Sequence, residues 1–147
     1  MQLDVVTPDK VEFSRPVESI IAPAWDGYIG ILPGHMHLLT NLQTGVLTIK
    51  DEGEEIRMAV REGFMEVTPT KVVVLAEAAE MAEEIDVERA LEAKRQAEEM
   101  MARSTEHITL VKAQARLQRA VNRLKVARYK ENGLKGTSGA ENERRAE

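Results

Sequence analysis

The sequence predicts a mainly β plus α chain in two parts: an N-terminal β-sandwich at residues 1–84 and a C-terminal antiparallel two-helix hairpin at residues 85–131. Two observations carry this. Short runs that alternate polar and apolar residues, split by turn residues at close spacing, fill the first half, as expected of an all-β sandwich or barrel. Glycine and proline then vanish from Ala78 through Asn132, where Ala, Glu, Lys, Arg and Met dominate, all good helix formers.

Leu3 and Val5 alternate with Gln2 and Asp4, and Val11 and Phe13 with Lys10 and Glu12. Further on, Ile56, Met58 and Val60 alternate with Glu55, Arg57 and Arg61, a period of two with one face buried. Turn signals lie at Thr7-Pro8-Asp9, Trp25-Asp26-Gly27, Leu32-Pro33-Gly34, Asp51-Glu52-Gly53 and Thr68-Pro69-Thr70. Lys71 to Ala76 (KVVVLA) is apolar on both sides, which predicts a strand covered on each face. A first helix is expected from Asp86 to about Arg103, with a small apolar side at Ala90, Ala93 and Ala97, then Met100 and Met101. Arg103-Ser104-Thr105 is the expected turn, Ser104 or Thr105 capping the second helix. There Leu110, Ala113, Leu117, Val121, Leu124 and Ala127 or Arg128 recur at steps of three and four. Alanine on both helices lets them approach closely. Residues 132–147, rich in Gly, Ser, Asn and charge, are expected to be a disordered tail.

Charge is segregated along the hairpin. Glu77, Glu80, Glu83, Glu84, Asp86, Glu88, Glu92, Glu98 and Glu99 belong to the first helix and its lead-in. Lys112, Arg116, Arg119, Arg123, Lys125, Arg128 and Lys130 belong to the second. That pattern fits two helices that attract each other. It also fits plain solvated faces, or a basic helix with an acidic partner outside the chain.

Composition narrows the function. A net charge of −5 over 147 residues gives no electrostatic reason to expect nucleic acid, and 3% aromatics offer no stacking platform for it. No cysteine is present, which removes disulfides, thiolate metal sites and cysteine nucleophiles. The longest apolar run, Val72 to Ala76, is strand-sized rather than membrane-spanning, and Met1-Gln2-Leu3-Asp4 does not read as a secretory signal. The expectation is a soluble cytosolic chain.

Candidate chemistry is sparse. His35 and His37 lie near Gly34 with His107 far away, and nothing supplies a third zinc ligand. Gly133 to Thr137 lacks Gly-Lys-Ser/Thr in order and follows no strand, so it is no phosphate loop. No Ser/His/Asp order is recognisable; no catalytic residue or metal site is expected. Asp86 is a good helix cap, Arg89 lies three residues on, and Arg119 and Arg123 stack four apart. Folding the hairpin could bring one carboxylate and three guanidiniums together, and guanidiniums hold phosphate oxygens well. Spacing alone favours capping and salt bridges.

Three segments in register add to this. Gly27 to Thr40 (GYIGILPGHMHLLT) closes at Gly45; Glu62 to Val67 (EGFMEV) precedes Val72 to Glu77 (VVVLAE); Ile85 to Ala90 reads IDVERA. Together they resemble the epsilon subunits of bacterial F-type ATP synthases over residues 1 to about 130, the last matching that family's Ile/Leu-Asp-x-x-Arg-Ala nucleotide motif. His37 stands where the family usually has Pro, and Tyr28 where it often has an acid.

The resemblance implies a sandwich that docks on the gamma subunit and the c-ring and turns with them, peripheral to the cytoplasmic face of the bacterial cell membrane and not inserted in it. It implies a hairpin that folds on the sandwich or extends into the alpha3beta3 hexamer and blocks ATP hydrolysis. No cofactor is required; regulatory ATP is the ligand implied in some members. Carried over, its contacts fall on Asp86, Arg89, Arg119 and Arg123, with Glu80 at a further implicated position. Tyr28 and His35 are the rotor-interface candidates. The competing reading is a stand-alone sandwich and hairpin that binds an acidic protein.

Overall fold

A computed structural model describes residues 1–146, with side chains for residues 1–128. The tail expected at 132–147 lies outside those fully described residues. Ten strands come first: β1 (Gln2–Val6), β2 (Val11–Pro16), β3 (Ser19–Ala24), β4 (Gly27–Ile31), β5 (Leu38–Leu42), β6 (Gly45–Asp51), β7 (Glu54–Val60), β8 (Gly63–Val67), β9 (Lys71–Ala76) and β10 (Ala79–Met81). A 3-10 turn at Ala82–Glu84 leads to α1 (Val87–Arg103) and α2 (His107–Ala146).

The strand order is β10-β7-β6-β3-β5-β8-β9-β1-β2, with β4 also on β3. Pairing is antiparallel except between β1 and β9. Only Ala24↔Leu42 joins β3 to β5, so the sheet hinges there into two layers of five strands. One apolar core lies between them: Leu3 and Val5, Ile20, Leu47 and Ile49, Met58, Met65 and Val67, Val72 and Val74 are each at most 2% exposed or fully buried. These are the inward positions of the period-two pattern, and core burial of such side chains contributes about 1.5–3 kcal/mol each. Every residue of that core precedes the helices.

Turns follow the residues that permit them. Between β6 and β7, Glu52 (φ 52°) and Gly53 (φ 80°) both sit left-handed, the backbone that a two-residue hairpin requires. Gly63 faces Ala76 across β8 and β9, and a Cβ there would lie 1.9 Å from the Leu75 carbonyl oxygen.

Three sequence expectations are corrected. β9 is buried on one face only: Val72, Val74 and Ala76 point inward, while Leu75 is 50% exposed. β10 was not foreseen; its three residues lack a run long enough to show a period, and its pairing with β7 is non-local. Ser104 does not cap α2. It ends α1, its N–H donating to the Met100 carbonyl, while its hydroxyl accepts from the Glu106 amide.

Gly63→Ala is expected to destabilise the sandwich by at least the roughly 1–3 kcal/mol of overpacking, read as a lower denaturation midpoint. Asp4 gives a pH test. Hydrogen bonds from Ser14, Gln2 and Lys71 lower its pKa from 3.8 to about 2. Its stabilisation is therefore complete above the unfolded value and is lost as pH falls through the folded one. Asp4→Asn should cost stability at neutral pH, and the gap from the unmodified chain should close between about pH 5 and 2.

Candidate functional site

α1 starts where Asp86 Oδ1 accepts the Arg89 backbone N–H at 3.1 Å, a capping contact that aligns the first turn. The two helices meet through small residues: Ala90 and Ala97 of α1, Ala113 and Ala120 of α2, all at most 2% exposed. Charge does not join them. Among the described residues no ion pair crosses from α1 to α2; Glu92, Glu98 and Glu99 pair within α1, Arg95 with Glu92 and Glu99, Lys94 with Glu98, Arg103 with Glu99. Such i,i+3 and i,i+4 pairs are local to one helix face. The expected electrostatic attraction between helices is replaced by alanine packing.

The hairpin rests on the sandwich along a narrow seam. Val126, fully buried, packs with Ala59 of β7 and Ile85, flanked by Val46, Ala82 and Ala127. Beside it, Arg123 Nη2 donates to Glu80 Oε2 of β10 at 3.0 Å, each side chain about a quarter exposed (26% and 29%).

Around this pair lies a cavity of about 190 Å³ lined by Thr44, Arg61 and Glu80 of the sandwich and Arg119, Asn122 and Arg123 of α2, among others. Next to it, about 290 Å³ opens between the helices, bounded by Ala93, Gln96, Arg116, Arg119 and Arg123. Arg119 and Arg123 border both. At the rim the Thr44 hydroxyl donates to Glu62 at 2.6 Å. That bond foremost, with Arg61 and Arg119 adding attraction, holds the Glu62 carboxyl below its ordinary range.

Of the five residues carried over for nucleotide, Glu80, Arg119 and Arg123 are brought together at this seam. Asp86 and Arg89 are exposed and line neither cavity; the Asp86 carboxylate is engaged by its own helix. Thr44, Arg61 and Asn122 went unnoticed in the sequence. Arg61 follows a strand and Asn122 sits inside a basic helix, so only the tertiary docking relates them.

The two interface candidates lie elsewhere. Tyr28 is 58% exposed, but its hydroxyl accepts the Val46 N–H at 3.1 Å and covers Gly45, where a Cβ would come within 2.8 Å of it. His35 sits in the loop after β4, its Nδ1 2.8 Å from the Met36 carbonyl, with Leu32 and Met36 exposed around it. Trp25, Leu39 and Phe64, each more than half exposed, gather on one outer face of the sandwich.

Known proteins resemble this chain in sequence and fold. A family described as ATP synthase, Delta/Epsilon chain, beta-sandwich domain, matches residues 1–82, and its long alpha-helix domain matches residues 83–128. The chain is 44% identical over 126 residues to a protein named ATP synthase epsilon chain from Desulforamulus reducens, covering 86% of this chain and 96% of that one. It is 46% identical over 128 residues to the one of the same name from Dehalococcoides mccartyi, covering 86% and 91%. In fold it is similar to a chain in the mitochondrial ATP synthase of Euglena gracilis, with a TM-score of 0.73, 24% identity, and 85% and 79% of the two chains covered.

Because the Glu80–Arg123 pair is partly exposed, it contributes about 0–1 kcal/mol to docking. Glu80→Gln should speed amide exchange along α2 by up to about fivefold and leave β1 to β9 unchanged. Equal acceleration everywhere would place the pair in the global fold instead.

Proposed function

The chain belongs to the ATP synthase delta/epsilon chain family, a structural and regulatory part of the rotary complex rather than a catalytic one, and from that premise we propose that its hairpin restrains ATP hydrolysis while its sandwich couples the gamma subunit to the c-ring. The observation that carries this is the division of packing. The sandwich core closes without any residue of α1 or α2, whereas among the described residues the hairpin is held by one small apolar cluster and one partly exposed ion pair. An element attached so lightly can leave without unfolding its support, and a ligand that prefers one state shifts the balance.

Regulatory ATP suits the docked state, through Glu80, Arg119 and Arg123 at the seam and Asp86 and Arg89 at the start of α1. The exposed apolar side chains Trp25, Leu39 and Phe64 suit a protein partner, and the loop of His35 with Leu32 and Met36 suits a second contact at the end of the sandwich. The complex would sit at the cytoplasmic face of the bacterial cell membrane; among the described residues no helix is long and apolar enough to cross one. The exposed cations Arg116 and Lys125 suit an acidic surface met by the extended hairpin.

Removal of every residue from Asp86 onward should leave a folded sandwich that still assembles and should raise hydrolysis by the reconstituted complex. Insolubility of the truncated chain, or loss of coupling, would contradict the division. Arg116→Ala with Lys125→Ala should relieve inhibition in the full chain without impairing assembly. Unchanged inhibition across low and moderate salt would make those charges a solvated face.

A further inference from the structure

The surface on which the hairpin rests begins at a break in the sheet. β3 pairs with β6 from Ser19↔Lys50 to Ile21↔Thr48, then leaves it and crosses to β5 at Ala24↔Leu42. Where the ladder would continue stands Pro23, which has no N–H to offer, and its carbonyl accepts the Gln43 N–H at 2.8 Å. The first residues of β6 therefore lose their backbone neighbour on that side. A side chain takes its place: the Val46 N–H donates to the Tyr28 hydroxyl of β4 at 3.1 Å.

The fit there is close. Tyr28 faces Pro23 across β3 and β4, and both reach the buried Gly45, where a Cβ would lie 2.8 Å from the tyrosine oxygen and 2.8 Å from the Pro23 Cβ. Any side chain at position 45 would push the hydroxyl off Val46. The Tyr28 ring is more than half exposed, so it adds little to the core. Its hydroxyl supplies the acceptor that β3 does not.

The segment held in this way is the one beneath α2. Thr44 lines the cavity with Arg119, Asn122 and Arg123, and Val46 flanks the cluster of Ala59, Ile85 and Val126. On its other edge the segment is held by β7, through Gly45↔Val60 and Val46↔Ala59. Tyr28 holds the edge that β3 leaves. A backbone N–H deprived of its acceptor must find water, and at this position the strand has to shift to reach it.

We infer that Tyr28 is a positioning residue for the hairpin: by holding Val46 at the break between β3 and β6, its hydroxyl shapes the surface on which Val126 docks. Tyr28 acts through Val46 and not through the core. The bond is worth what one neutral hydrogen bond is worth, which suits a surface that holds α2 lightly. Only the step from docking to hydrolysis rests on the function proposed above.

Amide hydrogen exchange of the full chain, read residue by residue, tests this with Tyr28→Phe, which keeps the ring and removes the acceptor. The Val46 amide should exchange roughly two- to tenfold faster, the scale of one neutral hydrogen bond. Leu124 to Ala127 of α2 should accelerate with it, while Leu3, Val72 and Val74 of the core keep their rates. Val126→Ala loosens the same contact from the helix side, so Tyr28→Phe added to it should speed α2 less than it does alone. Acceleration at Val46 without α2 would make the bond a local stitch and overturn the inference. Equal loss of protection in the core, or misfolding, would place Tyr28 in the global fold and overturn it as well. So would unchanged rates throughout, or full additivity with Val126→Ala. Hydrolysis by the reconstituted complex is read separately. Stronger inhibition with Tyr28→Phe supports the link from undocking to restraint; faster α2 exchange with unchanged hydrolysis keeps the role of the hydroxyl and removes that link.

Discussion

Strand β7 serves two clients with opposite faces. Met58 and Val60 point into the sandwich core, fully buried or nearly so, while Ala59 between them points out beneath Val126 and Ile85. An alanine offers little area, so the hairpin gains little by resting on it. A larger apolar residue there would glue α2 down; a charged one would repel it. The sandwich is thus independent of the hairpin, and the hairpin depends on the sandwich only weakly. That asymmetry is what a detachable regulatory element needs, and the rest of the seam, Glu80 with Arg123 and the cavity beside them, adds side-chain contacts that a ligand can reinforce.

The helix pair shows the same economy. Alanines at positions 90, 97, 113 and 120 bring the helices close with little side-chain entropy lost. Glu92, Glu98 and Glu99 of α1 are answered by Arg95, Lys94 and Arg103 on the same helix. α2 therefore keeps its cations for other uses: Arg123 for the sandwich, Arg119 for the cavities, Arg116 and Lys125 outward. Neutralisation within α1 and surplus charge on α2 are two sides of one arrangement.

Much of the fold was legible because its signals are local. Period-two alternation marked the inward faces of β1 and β7, and in β2 it marked Phe13 but not Val11, which is exposed at the strand's first position; Asp86 announced the start of α1 through a bond to its own backbone. What stayed hidden is non-local. The three residues of β10 are too few for a period, and Leu75 looks like core until the second layer is found to cover only the opposite face. The site divides the same way. Arg119 and Arg123 could be paired by helical spacing, whereas Arg61 and Asn122 become neighbours only when α2 lies on β7, and no pattern along the chain joins positions so far apart. Family resemblance supplied Glu80, which spacing alone would have left as one acid among many.

The proposed reversible docking of α2 is most directly tested by a distance. The chain has no cysteine, so single cysteines at Glu18 and Gln114, both exposed, can carry spin labels at two unique points. Electron–electron distance measurement on the isolated chain should give one short population. In the assembled, hydrolysis-restrained complex a second and longer population should appear, and ATP should shift weight back to the short one. A single unchanged distance in the isolated chain and the complex, with or without ATP, would contradict the account.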